Sequence, residues 1–166
     1  MILRAAQPSD IPALLDITVK GFDTYRDFAP PGWRMPDFES LGERVIDEEA
    51  WWWVAAGEGG DPVGHALMIP AARSREPVDD PRLGHVMQLF VLPSHWGTGV
   101  ARALHEAMVE EAPRRGFDEL RLFTPSGQRR ARAFYERERW RPLRELDDTA
   151  LGFPVVEYRR ACPIPS

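Results

Sequence analysis

Lysine is nearly missing from this chain: of 21 basic side chains, every one except Lys20 is arginine. The bias is compositional and says little about function. Cysteine is reduced to Cys162, so no disulfide can close within the chain. That excludes a disulfide scaffold and fits a reducing compartment, with the cytoplasm as the expected setting. No apolar run approaches the roughly 20 residues of a membrane span. The opening Met1–Pro8 has no basic region followed by an apolar one, so no signal peptide or membrane partner is expected. A formal net charge of −5 provides no general excess of positive charge for a phosphate backbone, which argues against nucleic acid as a partner. Internal repeats and low-complexity linkers are also absent. What remains is a chain of 166 residues, 43% hydrophobic and 28% charged, read as one domain over residues 1–166 with enough apolar material for a core.

Periodicity places the elements. Ile2–Ala6 reads as a strand, and Pro8-Ser9-Asp10 opens a helix carrying Ile11, Leu14, Leu15 and Ile17 at helical spacing. A second helix is expected from about Pro36 to Glu49. Trp51–Ala56 and Val63–Ile69 form a hairpin around Glu58-Gly59-Gly60-Asp61. Gly84–Leu92 is a third apolar strand of this group. Val100–Ala112 is an amphipathic helix, with Val100, Ala103, Leu104, Ala107 and Met108 on one face. Leu120–Phe123 is a strand, Arg129–Glu138 a helix, and Trp140–Leu146 and Val155–Arg160 the closing strands. The three consecutive tryptophans Trp51, Trp52 and Trp53 must alternate faces, so at least one is buried.

The segment Val91-Leu92-Pro93-Ser94-His95-Trp96-Gly97-Thr98-Gly99-Val100-Ala101-Arg102 passes from a buried strand through a glycine turn straight into a helix. The first N–H groups of a helix have no internal partner, and the helix dipole places partial positive charge there. Backbone N–H groups from about Gly97 to Ala101 can therefore cradle a pyrophosphate. An NTPase P-loop needs Gly-Lys-Ser/Thr, but Val100 and Ala101 follow Gly99. A dinucleotide fingerprint needs a small residue where Arg102 stands. A pyrophosphate turn for coenzyme A and a plain connecting turn both remain.

Trp96-Gly97-Thr98-Gly99-Val100-Ala101 resembles the Gln/Arg-x-x-Gly-x-Gly/Ala motif of the GNAT acetyltransferases. Gln128-Arg129-Arg130-Ala131-Arg132-Ala133-Phe134-Tyr135-Glu136 is similar to that family's Asn-x-x-Ala-x-x-Phe-Tyr-Glu helix, and Val155–Arg159 looks like its closing strand. The resemblance implies an α+β fold with a single mixed, mostly antiparallel twisted sheet of about six to seven strands and about four helices. It implies acetyl-CoA as acyl donor, no metal, and direct attack by a primary amine of a small molecule. A non-catalytic acyl-CoA-binding module and an enzyme acting on protein or peptide amines are the alternatives. A homodimer is expected by analogy alone. The chain departs from the pattern at three places: Trp96 replaces a polar anchor, Gln128 replaces Asn, and Arg139 replaces a glycine, where a left-handed backbone would impose a modest strain.

By the same resemblance, Leu89, Phe90 and Val91 offer backbone groups to the pantetheine arm. An N–H at Leu89 or Val91 stabilises the oxyanion. Trp96, Gly97, Thr98, Gly99, Val100, Ala101, Arg102, Gln128 and Tyr135 complete the cofactor site, and Arg129, Arg130 and Arg132 are further candidates for a phosphate. Tyr135 is the general acid toward the leaving sulfur. The base is less determined, because the strand has Gln88 where many members carry a carboxylate. His85 is the first candidate on intrinsic pKa, with His65, Glu76, Asp79 and Asp80 behind it. Acceptor contacts are expected from Tyr25, Trp33 and Gln88, with Phe28 and Trp51 extending an aromatic wall and Arg34, Arg73 and Arg75 available for a carboxylate. Cys162, in the tail, makes a poor nucleophile.

Overall fold

The computed structural model describes residues 1–38, 41–43, 47–148 and 150–162. Seven strands form one sheet: β1 (Ile2–Ala5), β2 (Trp51–Ala56), β3 (Pro62–Pro70), β4 (Leu83–Val91), β5 (Glu119–Pro125), β6 (Arg141–Asp148) and β7 (Phe153–Ala161), in the order β1-β2-β3-β4-β5-β7-β6. Every neighbouring pair is antiparallel except β4 and β5. Among the described residues there are three α-helices, α1 (Ile11–Asp23), α2 (Val100–Glu111) and α3 (Arg129–Arg137).

The helix expected over Pro36–Glu49 is corrected where it can be seen. Residues 39, 40 and 44–46 lie outside the described residues. Residues 36–38 are irregular and 41–43 make a single 3-10 turn, with Leu41 N–H donating to Phe38 O at 3.0 Å. Leu41 and Phe38 nevertheless pack on the core beside Leu14 and Trp52. The apolar spacing there records burial rather than a helix.

α1 covers one face of the sheet and α2 with α3 the other. Leu14, Trp52, Val54, Leu67 and Ile69 form the smaller core under α1. Leu104, Met108, Val86, Leu120 and Tyr135 belong to the larger core on the other face. The tryptophan run obeys the strand period of two. Trp51 and Trp53 stack on the α2 side with centroids 5.5 Å apart, and Trp52 turns toward α1. The start of α1 is held by Asp10, whose carboxylate receives both terminal nitrogens of Arg4 at 2.7 and 2.8 Å and the Gln7 N–H at 2.8 Å. The Arg4 hydrogen bonds hold that carboxyl below its usual range.

Two irregularities shape the site. Leu67 pairs with Gln88 but Met68 pairs with Val86, so Met87 is an extra residue in β4. Such a bulge bends the strand and increases its twist. β4 and β5 are paired only over Leu83–His85 and Glu119–Arg121, although both strands run on, and beyond those residues they diverge. The second irregularity is Arg139, at φ 71°. A side chain in this left-handed region costs about 1–2 kcal/mol, consistent with the glycine expected there.

Candidate active site

The divergence of β4 from β5 opens a cleft of about 750 Å³. Its floor is the free edge of β4 from Val86 to Val91, its far wall is Leu122–Thr124 of β5, and its ends are closed by α1, α2 and α3. Strand edges carry unpaired N–H and C=O groups. An extended polar chain laid along β4 can pair with them, as a strand would.

At one end lies the glycine turn. Gly97 and Gly99 have φ of +76° and +88°, and a Cβ built at either would meet nothing within 4 Å. They are glycines because of backbone conformation, and the space beside them is open. Gly99 is the N-cap of α2 and has no side-chain cap bond. The leading N–H groups of α2 are thus left for a ligand. The turn is fastened from behind: Thr98 Oγ1 donates to His95 O, and Trp96 Nε1 donates to Val91 O at 2.9 Å. Thr98 is turned away and does not line the cleft, whereas Trp96, Gly97, Gly99, Val100, Ala101 and Arg102 do.

Trp96 has a second partner. The Arg130 guanidinium lies 4.4 Å from its ring centroid, and both line the cleft. A cation over an indole face is attracted by the ring quadrupole. An arginine carried across from α3 thus stands beside position 96, where the polar residue of the family pattern is missing. Arg102 pairs with Glu106 at 3.0 Å. Arg132 is used elsewhere, donating to Tyr158 Oη at 3.1 Å and Ser126 O at 3.0 Å. Gln128 lines the cleft and accepts from Thr124 Oγ1 at 3.3 Å.

The Gly99 geometry makes a testable demand. Gly99→Ala forces a side chain into the left-handed region at a cost of about 1–2 kcal/mol and crowds the cradle. Losing one charge-assisted bond of about 1.4 kcal/mol or more raises the KM for acetyl-CoA about tenfold. Steady-state kinetics with urea unfolding separates the two effects. An unchanged KM would remove the cradle from phosphate binding.

At the other end, Gly21, Thr24 and Tyr25 of the α1 side face Gln88 and Phe90. Tyr25 is buried against Phe22, Phe28 and Phe153. Trp33 lies tilted outside it, 6.3 Å from Tyr25, with its indole N–H bound to Leu151 O at 2.6 Å. Trp33 therefore supports the aromatic wall from behind and does not line the cleft. Trp51 is corrected from that wall, because it lies in the core under α2. Arg73 is paired with Asp47 at 2.8 Å and Arg75 lies 3.9 Å from Asp148.

Tyr135 comes from α3 and lines the cleft opposite Tyr25. Its ring is held edge-on by Phe134 and Trp140, with centroids at 5.4 and 5.8 Å. No hydrogen-bond partner for its hydroxyl is found among the described residues. Burial pushes the phenol above its usual range, and does the same to Tyr25 with a smaller contribution from Tyr135. Both phenols hold their protons at neutral pH.

His85 is enclosed. It is buried, does not line the cleft, and its Nδ1 accepts from Arg121 Nε at 3.1 Å. Burial, with the charges of Arg121, Arg75 and Arg159, pushes its pKa down to about 3. His65 is likewise enclosed, with both ring nitrogens engaged and its pKa pushed down to about 3 by burial. Glu76, Asp79 and Asp80 do not line the cleft. Residues that sequence reasoning passed over are Thr18, Met87 and Glu138. Thr18, a polar side chain within the apolar stripe of α1, carried the one readable signal.

The same fold is found in solved structures. The PaiA N-acetyltransferase of Thermoplasma acidophilum, in complex with coenzyme A, matches with TM-score 0.76 and 11% identity over 96% of this chain and 98% of that one. The ribosomal-protein-alanine N-acetyltransferase of Brucella melitensis matches with TM-score 0.73 and 20% identity over 97% and 99%. Nourseothricin acetyltransferase matches with TM-score 0.60 and 27% identity over 70% of this chain and 68% of that one. No curated protein matches the chain. Among the described residues no cluster of three or more His, Cys, Asp or Glu is arranged to hold a metal ion. The family model for the acetyltransferase (GNAT) family matches residues 19–139, most of the chain and all of the cleft from Gly21 to Glu138. The chain belongs to the GNAT acetyltransferases.

Proposed function

We propose that this acetyltransferase moves the acetyl group of acetyl-CoA to the primary amine of a small molecule by direct attack. The observation that carries the proposal is the single cleft that joins the glycine cradle of α2, the free edge of β4 and the Tyr135 hydroxyl to a closed aromatic end at Tyr25. The pyrophosphate rests on the backbone N–H groups after Gly97, with Arg130 held nearby by Trp96. The pantetheine arm pairs with β4 in the place that β5 has vacated. The thioester carbon then lies near the bulge, where a β4 N–H at Leu89 or Val91 faces the carbonyl oxygen as it becomes negative.

In the step itself the amine nitrogen forms a bond to the carbonyl carbon, the carbon–sulfur bond breaks, and the amine proton passes to solvent. Tyr135 donates a hydrogen bond to the departing sulfur. His65 and His85 lie outside the cleft, and His95 lines it at the glycine-turn end, away from Tyr25, so the amine enters already deprotonated or gives its proton to water. The Cys162 thiol, pushed up to about 11 chiefly by burial, takes no part, and a lone buried thiol suits the cytoplasm.

The test is release of free CoA from acetyl-CoA, measured with panels of amino acids, polyamines, aminoglycosides and short peptides. Saturable release with a small amine supports the proposal. Acetyl-CoA binding with no release on any amine assigns the protein instead to a binding or sensing role. Release with peptides alone moves the acceptor to protein N-termini or side chains.

A further inference from the structure

On the α1 side of β4 a chain of hydrogen bonds crosses apolar packing and ends at the cleft. Trp52 Nε1 donates to His65 Nδ1 at 3.0 Å, His65 Nε2 lies 3.2 Å from Thr18 Oγ1, and Thr18 Oγ1 lies 3.0 Å from Gln88 Oε1. An indole nitrogen can only donate. His65 Nδ1 is therefore the acceptor, and Nε2 carries the proton of a ring that burial keeps neutral. Nε2–H donates to Thr18 Oγ1.

The Thr18 hydroxyl has one proton and two oxygens in reach: the Leu14 carbonyl at 2.8 Å and Gln88 Oε1. The Leu14 carbonyl also serves the Thr18 backbone N–H as its partner four residues back in the helix. Gln88 Oε1 has no other partner among the described residues. The proton is best used on Gln88, and then every donor points the same way along the chain. Bonds aligned in this manner strengthen one another.

Gln88 is 7% exposed, yet it lines the cleft. With its oxygen held from behind, its amide nitrogen turns to the cleft with two N–H donors, and no partner for them is found among the described residues. Gln88 shares the α1 side of the cleft with Gly21, Thr24 and Tyr25. The glycine cradle begins α2, on the opposite face. These donors therefore address the acceptor, and not the phosphates of the acyl donor.

We infer that Gln88 determines acceptor specificity by binding a carbonyl or carboxylate oxygen close to the reacting amine, the grouping found in an amino acid, an amino amide or a peptide N-terminus. Trp52, His65 and Thr18 are positioning residues that hold its amide. The inference rests on the acetyltransferase reading. An alkylamine without such an oxygen leaves two buried N–H groups without a partner, and sites of this kind discriminate strongly.

Glycinamide and ethylamine differ at this one group. At equal free-amine concentration, wild-type kcat/KM is expected to favour glycinamide by about tenfold or more. In Gln88→Met, which keeps the length and removes the donors, the ratio falls to within about threefold, through the KM for glycinamide. Thr18→Val lowers the ratio part of the way, and Thr18→Ser, which retains the hydroxyl, restores it. Glycine and triglycine run alongside show whether a free carboxylate or a peptide carbonyl is preferred. Calorimetric binding of glycinamide and ethylamine to the protein saturated with CoA reads the same ratio without turnover. A tenfold binding preference that Gln88→Met abolishes, with no acetylation of any amine, upholds the Gln88 assignment and removes the transfer reaction. Equal handling of the two amines by wild type, or a preference unchanged in Gln88→Met, overturns the assignment.

Discussion

Tyr135→Phe is expected to bind acetyl-CoA normally and to lower kcat by about a hundredfold. The ring stays packed on Phe134 and Trp140, so the fold should be undisturbed. Only the hydroxyl is removed, and that hydroxyl has no hydrogen-bond partner among the described residues. A tyrosine packed for stability alone would leave kcat unchanged. Burial raises this phenol, which makes it a reluctant proton donor but a permanent hydrogen-bond donor. A coenzyme A thiolate is a weaker base than a buried phenolate. In the proposed reaction the tyrosine stabilises the departing sulfur by a charge-assisted bond and keeps its proton, and such bonds are about twice as strong as neutral ones. Single-turnover kinetics at saturating acetyl-CoA measures the step directly. Turnover within about twofold of wild type would take Tyr135 out of the reaction.

The protein should also lose stability steeply in mild acid, beginning above the range where carboxylates titrate. His65, His85 and His105 are buried. Burial pushes the first two down to about 3 and the third to about 4, with Arg121, Arg75 and Arg159 adding to the effect at His85 and Arg160 at His105. In the unfolded chain each takes a proton near the ordinary histidine pKa of about 6.5. The unfolded state thus binds more protons than the folded one between that value and the depressed one. The stabilising contribution is complete above about pH 6.5 and is lost as pH falls toward about 4 for His105 and about 3 for His65 and His85. Each histidine contributes a slope of about 1.4 kcal/mol per pH unit, so the three together approach about 4 kcal/mol per unit near pH 5. Urea unfolding from pH 7.5 to 5 should show this decline. His105→Gln, whose amide oxygen can still accept from Trp140 Nε1, should reduce the slope by about one third. A flat profile across that interval would show that these rings take up protons in the folded state.

Legibility followed the range of the interactions that decide each feature. β2 was read with its limits correct because Trp51–Ala56 is aromatic and β-branched and meets a glycine turn. α2 was read from its apolar stripe and from Gly97 and Gly99, whose positive φ the turn requires. Local chemistry decides both. The segment around Phe38 and Leu41 misled because periodic burial and helix look alike over so short a span. The placement of His85 misleads for a different reason. Strand alternation alone would put His85 and Gln88 on opposite faces. The extra residue at Met87 brings both to the α1 side, where His85 meets Arg121 and Gln88 meets Thr18. No local pattern announces a bulge whose register is set by β3. The partnership of Trp52, His65, Thr18 and Gln88 is likewise a product of tertiary packing, as is the delivery of Arg130 to Trp96.

The short pairing of β4 with β5 has a thermodynamic consequence. Only Leu83–His85 and Glu119–Arg121 pair across the sheet's two parts, so beyond the shared core under α2 the β5–β7–β6 unit is bonded to the β1–β4 unit by a narrow seam. A ligand whose amides fill the gap acts as a missing strand, binding the assembled form and not the separated one. Linkage then makes unfolding concentration-dependent: acetyl-CoA at a hundred times its Kd adds about 2.7 kcal/mol. Amide protons of Val86–Val91 and Leu122–Thr124 would slow in exchange before those of β1 or β6, so the melting temperature and the protection pattern together report how full the donor pool is.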